Sequence, residues 1–390
     1  MKNFVFENPT KIIFGEGRIA EIGREVRQFG TKALMVYGQG SIKRNGVYDQ
    51  VVAALKEAAV QFVEYSGVKS NPVLSHVMQG VDVARREKVE AILAVGGGSV
   101  IDEAKTIAVG ALTDRDLWEF FTRKETVQAA LPVLTVLTVS ASASEMNPAA
   151  VITKEDLAQK FSIRSSYIQP KTSVLDPTVL YSLSPEYSAY SAVDAITHML
   201  EGYFNNEEPA SPLQDALVEG LIHVIMESMN RILVDARDYG ARADMMWAAT
   251  LAFNGLTTAG VGKVQLPVHM IEHSLSALYD IAHGAGLSIV LPAWMRYAAS
   301  MKTEKMARFA RRIFGVEEND DGRAAQAGVA RLKEWFAAIG SPTTFKEAQR
   351  PEKDVEIIAS NAAVLAVIWE LADYSAEVIE EILNYCVRET

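Results

Sequence analysis

The chain has a single cysteine, Cys386, among 390 residues. No disulfide can close within it, and one thiol cannot build a cysteine metal site. That usage fits a reducing, cytoplasmic setting. No stretch reaches the ~18 consecutive apolar residues that a membrane helix needs. The opening MKNFVFENPTKIIFGEGRI lacks a long apolar core, so a secretory signal is not expected either. Positive charge is in deficit, with 38 Lys and Arg against 49 Asp and Glu, a net −11. Nucleic acid is therefore not expected as a partner, although a small anionic ligand in a locally positive site is compatible with that balance. Internal repeats and low-complexity linkers are absent. Histidine is scarce as well, with six in the chain.

What is present divides the chain in two. At this length one core is not expected, and two domains are. In the first part, apolar runs alternate with helical patterns. KALMVYG (32–38), VQFVEYSGV (60–68), VEAILAVGGGS (89–99) and LPVLTVLTV (131–139) read as buried strands. The stretches between the first three, VYDQVVAALKEAA and the segment from about Val73, read as helices. This rhythm predicts an α/β domain with a parallel, Rossmann-like sheet covered on both faces. Beyond VLDPTVLYSLSPEYS strand-like runs become rare. Helical patterns follow, among them 211–235, 239–256, 265–279 and 302–314. The boundary is placed near residue 181, giving a nucleotide-binding α/β domain over 1–181 and an all-helical domain over 182–390. A cleft between two such domains is the expected binding place.

The glycines fall where parallel sheets bind ligands, at strand carboxyl ends. AVGGGSVIDEAK follows a strand and opens a helix. Gly96, Gly97 and Gly98 permit close backbone approach, and Ser99 is expected to cap the helix, leaving free N–H groups for a pyrophosphate. YGQGSIKRNG follows the first predicted strand, but Lys43 stands where the dinucleotide fingerprint has its third glycine. No acid is visible there to grip a ribose 2′-hydroxyl, whereas Ser41, Lys43 and Arg44 suit a 2′-phosphate. That favours NADP(H) over NAD(H). The run TVSASASEMN, from Thr138 to Asn147, offers hydroxyls for a phosphate or a nicotinamide amide.

VDAITHML raises a different question. Asp194 and His198 are one helical turn apart on an otherwise apolar stretch. A buried carboxylate is costly unless something pairs with it. Three of the six histidines, His269, His273 and His283, lie within one 15-residue window, 269–283. One carboxylate and four imidazoles suit a borderline divalent metal such as Zn(II) or Fe(II). Asp194, His198 and two of the later three histidines would form the set, and spacing alone leaves the pair open. His76 and His223 read as ordinary structural histidines.

Taken together, NPTKIIFGEG, YGQGSIKRNG, SNP (70–72), AVGGGSVIDEAK, SASASEMN, VLDP, VDAITHMLEGY and HMIEHSLSALYDIAHGAGLSIVLP resemble the iron-containing (group III) alcohol dehydrogenases along nearly the whole chain. The resemblance is greatest to the branch of butanol dehydrogenases and broad NADPH-dependent aldehyde reductases. It implies metal ligation by Asp194, His198, His269 and His283, with His273 near the nicotinamide and substrate and implicated in catalysis. It implies coenzyme groups at Gly38, Gly40, Ser41, Gly97, Gly98, Ser99, Ser142, Asn147 and Lys160. Asn71 matches the family's Asn-Pro turn, and Asp102 and Lys105 match the helix that follows the glycines. A homodimer is implied by the same analogy. Two positions depart from the family pattern. Ala143 stands where glycine is usual, which matters if the loop needs positive φ there, and Tyr279 stands where related reductases often carry histidine.

These parts imply hydride transfer between NADP(H), or NAD(H), and a small primary alcohol or aldehyde such as butanol or butanal. Two alternatives use the same scaffold: a polyol oxidoreductase like glycerol dehydrogenase, and a lyase like dehydroquinate synthase. The lyase needs a cationic pocket for a phosphorylated, carboxylated substrate, and 247–283 offers only Lys263. A non-enzymatic binding protein would be expected to have lost part of the metal set, which is intact.

Overall fold

The computed structural model describes residues 1–208, 210–350 and 352–387. The last residues of the helical half, expected to run to 390, lie outside the described residues. In chain order the first half contains β1 (Lys11–Phe14), α1 (Ile22–Arg27), β2 (Lys32–Tyr37), α2 (Ser41–Arg44), α3 (Val47–Glu57), β3 (Gln61–Ser66), α4 (Leu74–Glu87), β4 (Ala91–Gly96), α5 (Gly98–Gly110), α6 (Leu117–Phe121), β5 (Val133–Leu137), β6 (Ala149–Lys154), β7 (Gln159–Arg164) and β8 (Thr172–Leu175). Six strands form one parallel sheet in the order β1-β8-β5-β4-β2-β3. β6 and β7 form a separate antiparallel pair. The apolar runs become strands because both faces are covered: β4, β5 and β8 are buried at every residue.

The second half is helical: α7 (Pro185–Phe204), α8 (Pro212–Val234), α9 (Tyr239–Ala252), α10 (Pro267–Tyr279), α11 (His283–Ala298), α12 (Thr303–Phe314), α13 (Asp321–Ala338), α14 (Val355–Ile368) and α15 (Ala376–Val387). The start of α7 is written in its sequence. Ser184 caps it, accepting from the Tyr187 N–H at 3.2 Å, and Pro185 follows as the first helical residue. Among the described residues no helix is long and apolar enough to cross a membrane.

Two strands of the sheet and the whole hairpin go beyond the four strands expected. β1 and β8 have four residues each, too short for a periodic signal. The hairpin strands AAVITK and QKFSIR are brief and mixed in polarity. Compact packing also divides the chain differently from a single cut near 181. One unit comprises Met1–Phe6, Ser184–Ala236 and Leu251–Thr390; the other comprises Glu7–Leu183 and Arg237–Thr250. Most of α9 thus packs with the sheet. Ser140 Oγ donates to the Met246 carbonyl at 3.1 Å, Thr250 Oγ1 donates to Glu145 at 2.6 Å, and Trp247 meets Phe14 edge-on. Conversely, Lys2 N–H donates to the Gly260 carbonyl at 2.8 Å within the helical unit.

Candidate metal centre and dinucleotide cradle

In the helical unit, α7 carries Asp194, His198 and Glu201 at intervals that share one face. They are 4, 7 and 0 % exposed. α10 brings His269, Glu272 and His273, also buried, and His283 is the first residue of α11. Asp194 Oδ1 lies 3.3 Å from His198 Nε2, 3.6 Å from His269 Nε2 and 3.8 Å from His283 Nε2. The His198 ring is sandwiched between Phe253 and His269, at centroid distances of 4.1 and 4.0 Å.

The other nitrogens show what these Nε2 atoms are for. His269 Nδ1 bonds to Glu201, and His283 Nδ1 bonds to Glu272. Glu201 also accepts from the Val268 N–H at 2.5 Å, and Glu272 from Ser276 Oγ. A carboxylate on Nδ1 fixes the tautomer and aims the Nε2 lone pair away from it, toward Asp194. Yet Asp194 Oδ1 and His269 Nε2 are buried and make no hydrogen bond. Unpartnered buried polar atoms are rare and costly. One carboxylate oxygen encircled by three imidazole nitrogens fits a divalent cation of the zinc or iron type. The electrostatics agree. Burial opposes charge on Asp194, but the surrounding imidazoles hold its carboxyl well below the usual range. Burial, reinforced by His269, holds His198 well below an ordinary histidine. Burial also works against His269, but Glu201 and Asp194 lift it to about 9. The cluster calls for positive charge.

Of the three later histidines, the structure places His269 and His283 around Asp194. His273 stands to one side, its ring 5.9 Å from that of His283 and edge-on to Trp369 at 5.4 Å. His76 bonds Glu103 and His223 bonds the Arg312 carbonyl, as structural histidines do. Tyr279 donates to Asp354 at 2.9 Å. Glu201 and Glu272 were missed in the sequence. Glu201 had a signal, since it continues the face of Asp194 and His198 on an apolar helix.

In the sheet unit, the strand order reverses around β2, with β3 on one side and β4 on the other. The carboxyl ends of β2 and β4 are therefore the switch point where such sheets bind ligands. Gly97 caps α5 with no side chain, and Ser99 does not cap as expected; its Oγ donates to the Ser70 carbonyl at 2.5 Å instead. The first N–H groups of α5 are left without a side-chain cap, as an anion site requires. A Cβ on Gly97 would lie 2.8 Å from Val139 Cβ, and one on Gly98 2.4 Å from Ser142 Oγ. The glycines thus let this turn close onto the loop from Thr138 to Asn147. Gly38 and Gly40 lie in the turn after β2, with Gly40 at φ 96°, and Ser41 opens α2. Lys160 Nζ donates to Asn71 at 3.0 Å.

Like Ser99, Asn71 and Lys160, the expected groups Asp102 and Asn147 have structural partners. Asp102 accepts from Ser144 Oγ and from the Val151 N–H. Asn147 donates to the Ser142 carbonyl at 3.0 Å and accepts from the Ala149 N–H at 3.0 Å. Lys105, fully buried, donates to Ser144 Oγ and to the carbonyls of Asn147 and Ala149. Burial pushes Asp102 up and pulls Lys105 down to about 8. Together these side chains clamp the loop to α5. Within it Ala143 is fully buried at φ 53°, ψ 23°. The loop keeps a left-handed bend, and alanine bears the strain. Ala143→Gly is expected to gain a net ~0.5 kcal/mol, the strain relief exceeding glycine's entropy. Calorimetry should show a Tm higher by ~1–2 °C; a Tm that falls would mean no strain is stored there.

The acid that seemed missing beside Lys43 comes from β3. Glu64 accepts from Tyr37 Oη at 2.6 Å, from Tyr48 Oη at 2.6 Å and from Lys43 Nζ at 3.0 Å. The tyrosine hydroxyls, with Lys43, hold its carboxyl down at about 2.

Known proteins are similar to this chain along nearly its whole length. Residues 9–177 match the family model described as iron-containing alcohol dehydrogenase, and residues 188–386 the one described as Fe-containing alcohol dehydrogenase family, C-terminal. A probable NADH-dependent butanol dehydrogenase of Bacillus subtilis is 36% identical over 98% of this chain and 99% of its own. An NADPH-dependent aldehyde reductase of Escherichia coli is 37% identical over 88% of each. The crystal structure of an NADH-dependent butanol dehydrogenase A from Thermotoga maritima superposes with a TM-score of 0.96 at 45% identity, covering 100% of this chain and 99% of that one. The chain belongs to the iron-containing alcohol dehydrogenase family, in its butanol dehydrogenase and aldehyde reductase branch.

Proposed function

We propose that the protein is a metal-dependent alcohol dehydrogenase working mainly as an aldehyde reductase, with small primary alcohols and aldehydes such as butanol and butanal as substrates. The observation that carries this reading is the pair of buried, unpartnered atoms, Asp194 Oδ1 and His269 Nε2, within a ring of imidazoles. Asp194, His198, His269 and His283 would hold Fe(II) or Zn(II). Bound there, such a metal supplies Lewis acidity, and a nicotinamide dinucleotide supplies or accepts the hydride.

The chain's own residues do the rest. Glu201 and Glu272 hold the Nδ1 protons of His269 and His283, so that Nε2 stays a lone-pair donor. His273 passes a proton from a ring nitrogen to the substrate oxygen. The α5 N-terminus with Gly97, Gly98 and Ser99 would take the pyrophosphate. Gly38, Gly40, Ser41, Asn71, Thr138, Ser142 and Lys160 would line the dinucleotide site, while Asp102 and Asn147 act by shaping the loop beside it. Both coenzymes remain within this reading: Ser41 and Arg44 favour NADP(H), and the hold of Glu64 on Lys43 opposes it. The lone buried thiol supports a cytoplasmic setting, and a homodimer follows the family analogy.

The test is anaerobic purification, reconstitution with Fe(II) or Zn(II), and initial rates on butanal with NADH and with NADPH. Metal-dependent oxidation of one coenzyme or both is expected, and chelation should abolish it. Absence of such oxidation across a panel of small aldehydes would overturn the proposal.

A further inference from the structure

Glu64 and Lys43 lie beside the turn that follows β2, at the carboxyl end of the sheet. In the β2–β3 register Met35 faces Glu64 and Tyr37 faces Ser66. Both carboxylate oxygens of Glu64 are engaged, Oε1 by Tyr48 and Oε2 by Tyr37 and Lys43. The Lys43 ammonium also sits over the Tyr48 ring, 4.5 Å from its centroid. The side chains of Lys43 and Glu64 are 47 and 37 % exposed, so a ligand in the turn can reach both. Glu64 comes 21 residues after Lys43.

The two nicotinamide coenzymes differ only in a 2′-phosphate. A 2′-phosphate that binds Lys43 must share its one ammonium with the Glu64 carboxylate and lie beside it. Like charges set side by side in this way discriminate between ligands by repulsion. A ribose 2′-hydroxyl meets no such obstacle and can donate to the carboxylate. We infer that Glu64 sets coenzyme choice: by occupying Lys43 and repelling a 2′-phosphate, it makes NAD(H) the preferred coenzyme over NADP(H). This rests on the proposed dinucleotide site at the Gly38–Ser41 turn. It reverses the preference suggested by the sequence, where the acid lay too far along the chain to be linked to Lys43.

The experiment compares the metal-loaded protein with Glu64→Gln and with Glu64→Gln/Lys43→Met. Glutamine retains an oxygen for the two tyrosines and removes the charge. Calorimetric titration with ADP-ribose and with its 2′-phosphorylated form reads recognition without hydride transfer, and kcat/KM with NADH and NADPH reads it in turnover. The unsubstituted protein should bind ADP-ribose more tightly. Glu64→Gln should tighten the 2′-phosphorylated probe by about tenfold or more, with a much smaller change for ADP-ribose. The double variant should lose that gain. A preference for the phosphorylated probe before substitution, an unchanged ratio in Glu64→Gln, or a gain that survives loss of Lys43 would each overturn the inference. If neither probe binds, the dinucleotide site itself is wrong and the inference falls with it. A shifted binding ratio without hydride transfer upholds the inference and rejects the proposed activity.

Discussion

Replacing Asp194 with asparagine is expected to prevent metal retention and to lower kcat/KM for aldehyde reduction by about a thousandfold or more, equivalent to roughly 4 kcal/mol of barrier. The substitution preserves size and removes charge. Asp194 Oδ1 is the atom around which the three Nε2 atoms converge, at 3.3 to 3.8 Å. Glu201 and Glu272 are already turned to the far sides of their imidazoles. An amide there leaves a dication with neutral direct ligands in a buried site, where an uncompensated charge is strongly disfavoured. Metal content after dialysis, measured by mass spectrometry, should fall in step with activity. A variant that keeps stoichiometric metal and near-normal rates would remove Asp194 from the site.

His273→Asn should behave oppositely with respect to metal. Turnover is expected to fall by about a hundredfold or more, within the range for loss of a general acid–base group, while metal content stays unchanged. His273 lies one helical turn from His269, but its ring packs against Trp369 and stands 5.9 Å from the His283 ring. It therefore stands outside the set that converges on Asp194, as the proposed proton relay requires. The dependence of kcat on pH supplies a readout that simple structural damage would not mimic, because loss of a proton relay should flatten one limb of the profile. Unchanged rates at every pH would exclude the relay. Loss of the metal would place His273 in the ligand set instead.

Local chemistry was legible in the chain, and long-range partnership was not. β2, β4 and β5 are almost wholly apolar runs, so their burial on both faces could be read directly. Asp194 and His198 announced themselves because a carboxylate beside an imidazole on an apolar helix reads as a buried hydrogen-bonded pair or as half of a metal site. The choice of His269 and His283 over His273 needed either the family resemblance or coordinates, since helical spacing places His269 and His273 equally well. The roles of Glu201, Glu272 and Glu64 depend on partners 68, 11 and 21 residues away, and no local pattern encodes such pairs. Ala143 shows the reverse. The residue type argued against a left-handed bend, and the clamp formed by Asp102, Lys105 and Asn147 imposes the bend regardless.

The placement of Arg237–Thr250 with the sheet has a consequence for the order in which the protein can be made. Among the described residues every strand is complete by Leu175, yet Ser140 and Glu145 must wait for Met246 and Thr250. At ribosomal speeds of ~5–20 residues per second, the interval from Leu183 to Thr250 lasts about 3 to 13 seconds. During that time the nascent sheet unit lacks most of α9, and Ser140 and Glu145 lack their partners on it. The loop reaches its final form after Asp194 and His198 have been synthesised, so the two halves of the sequence mature together rather than in succession.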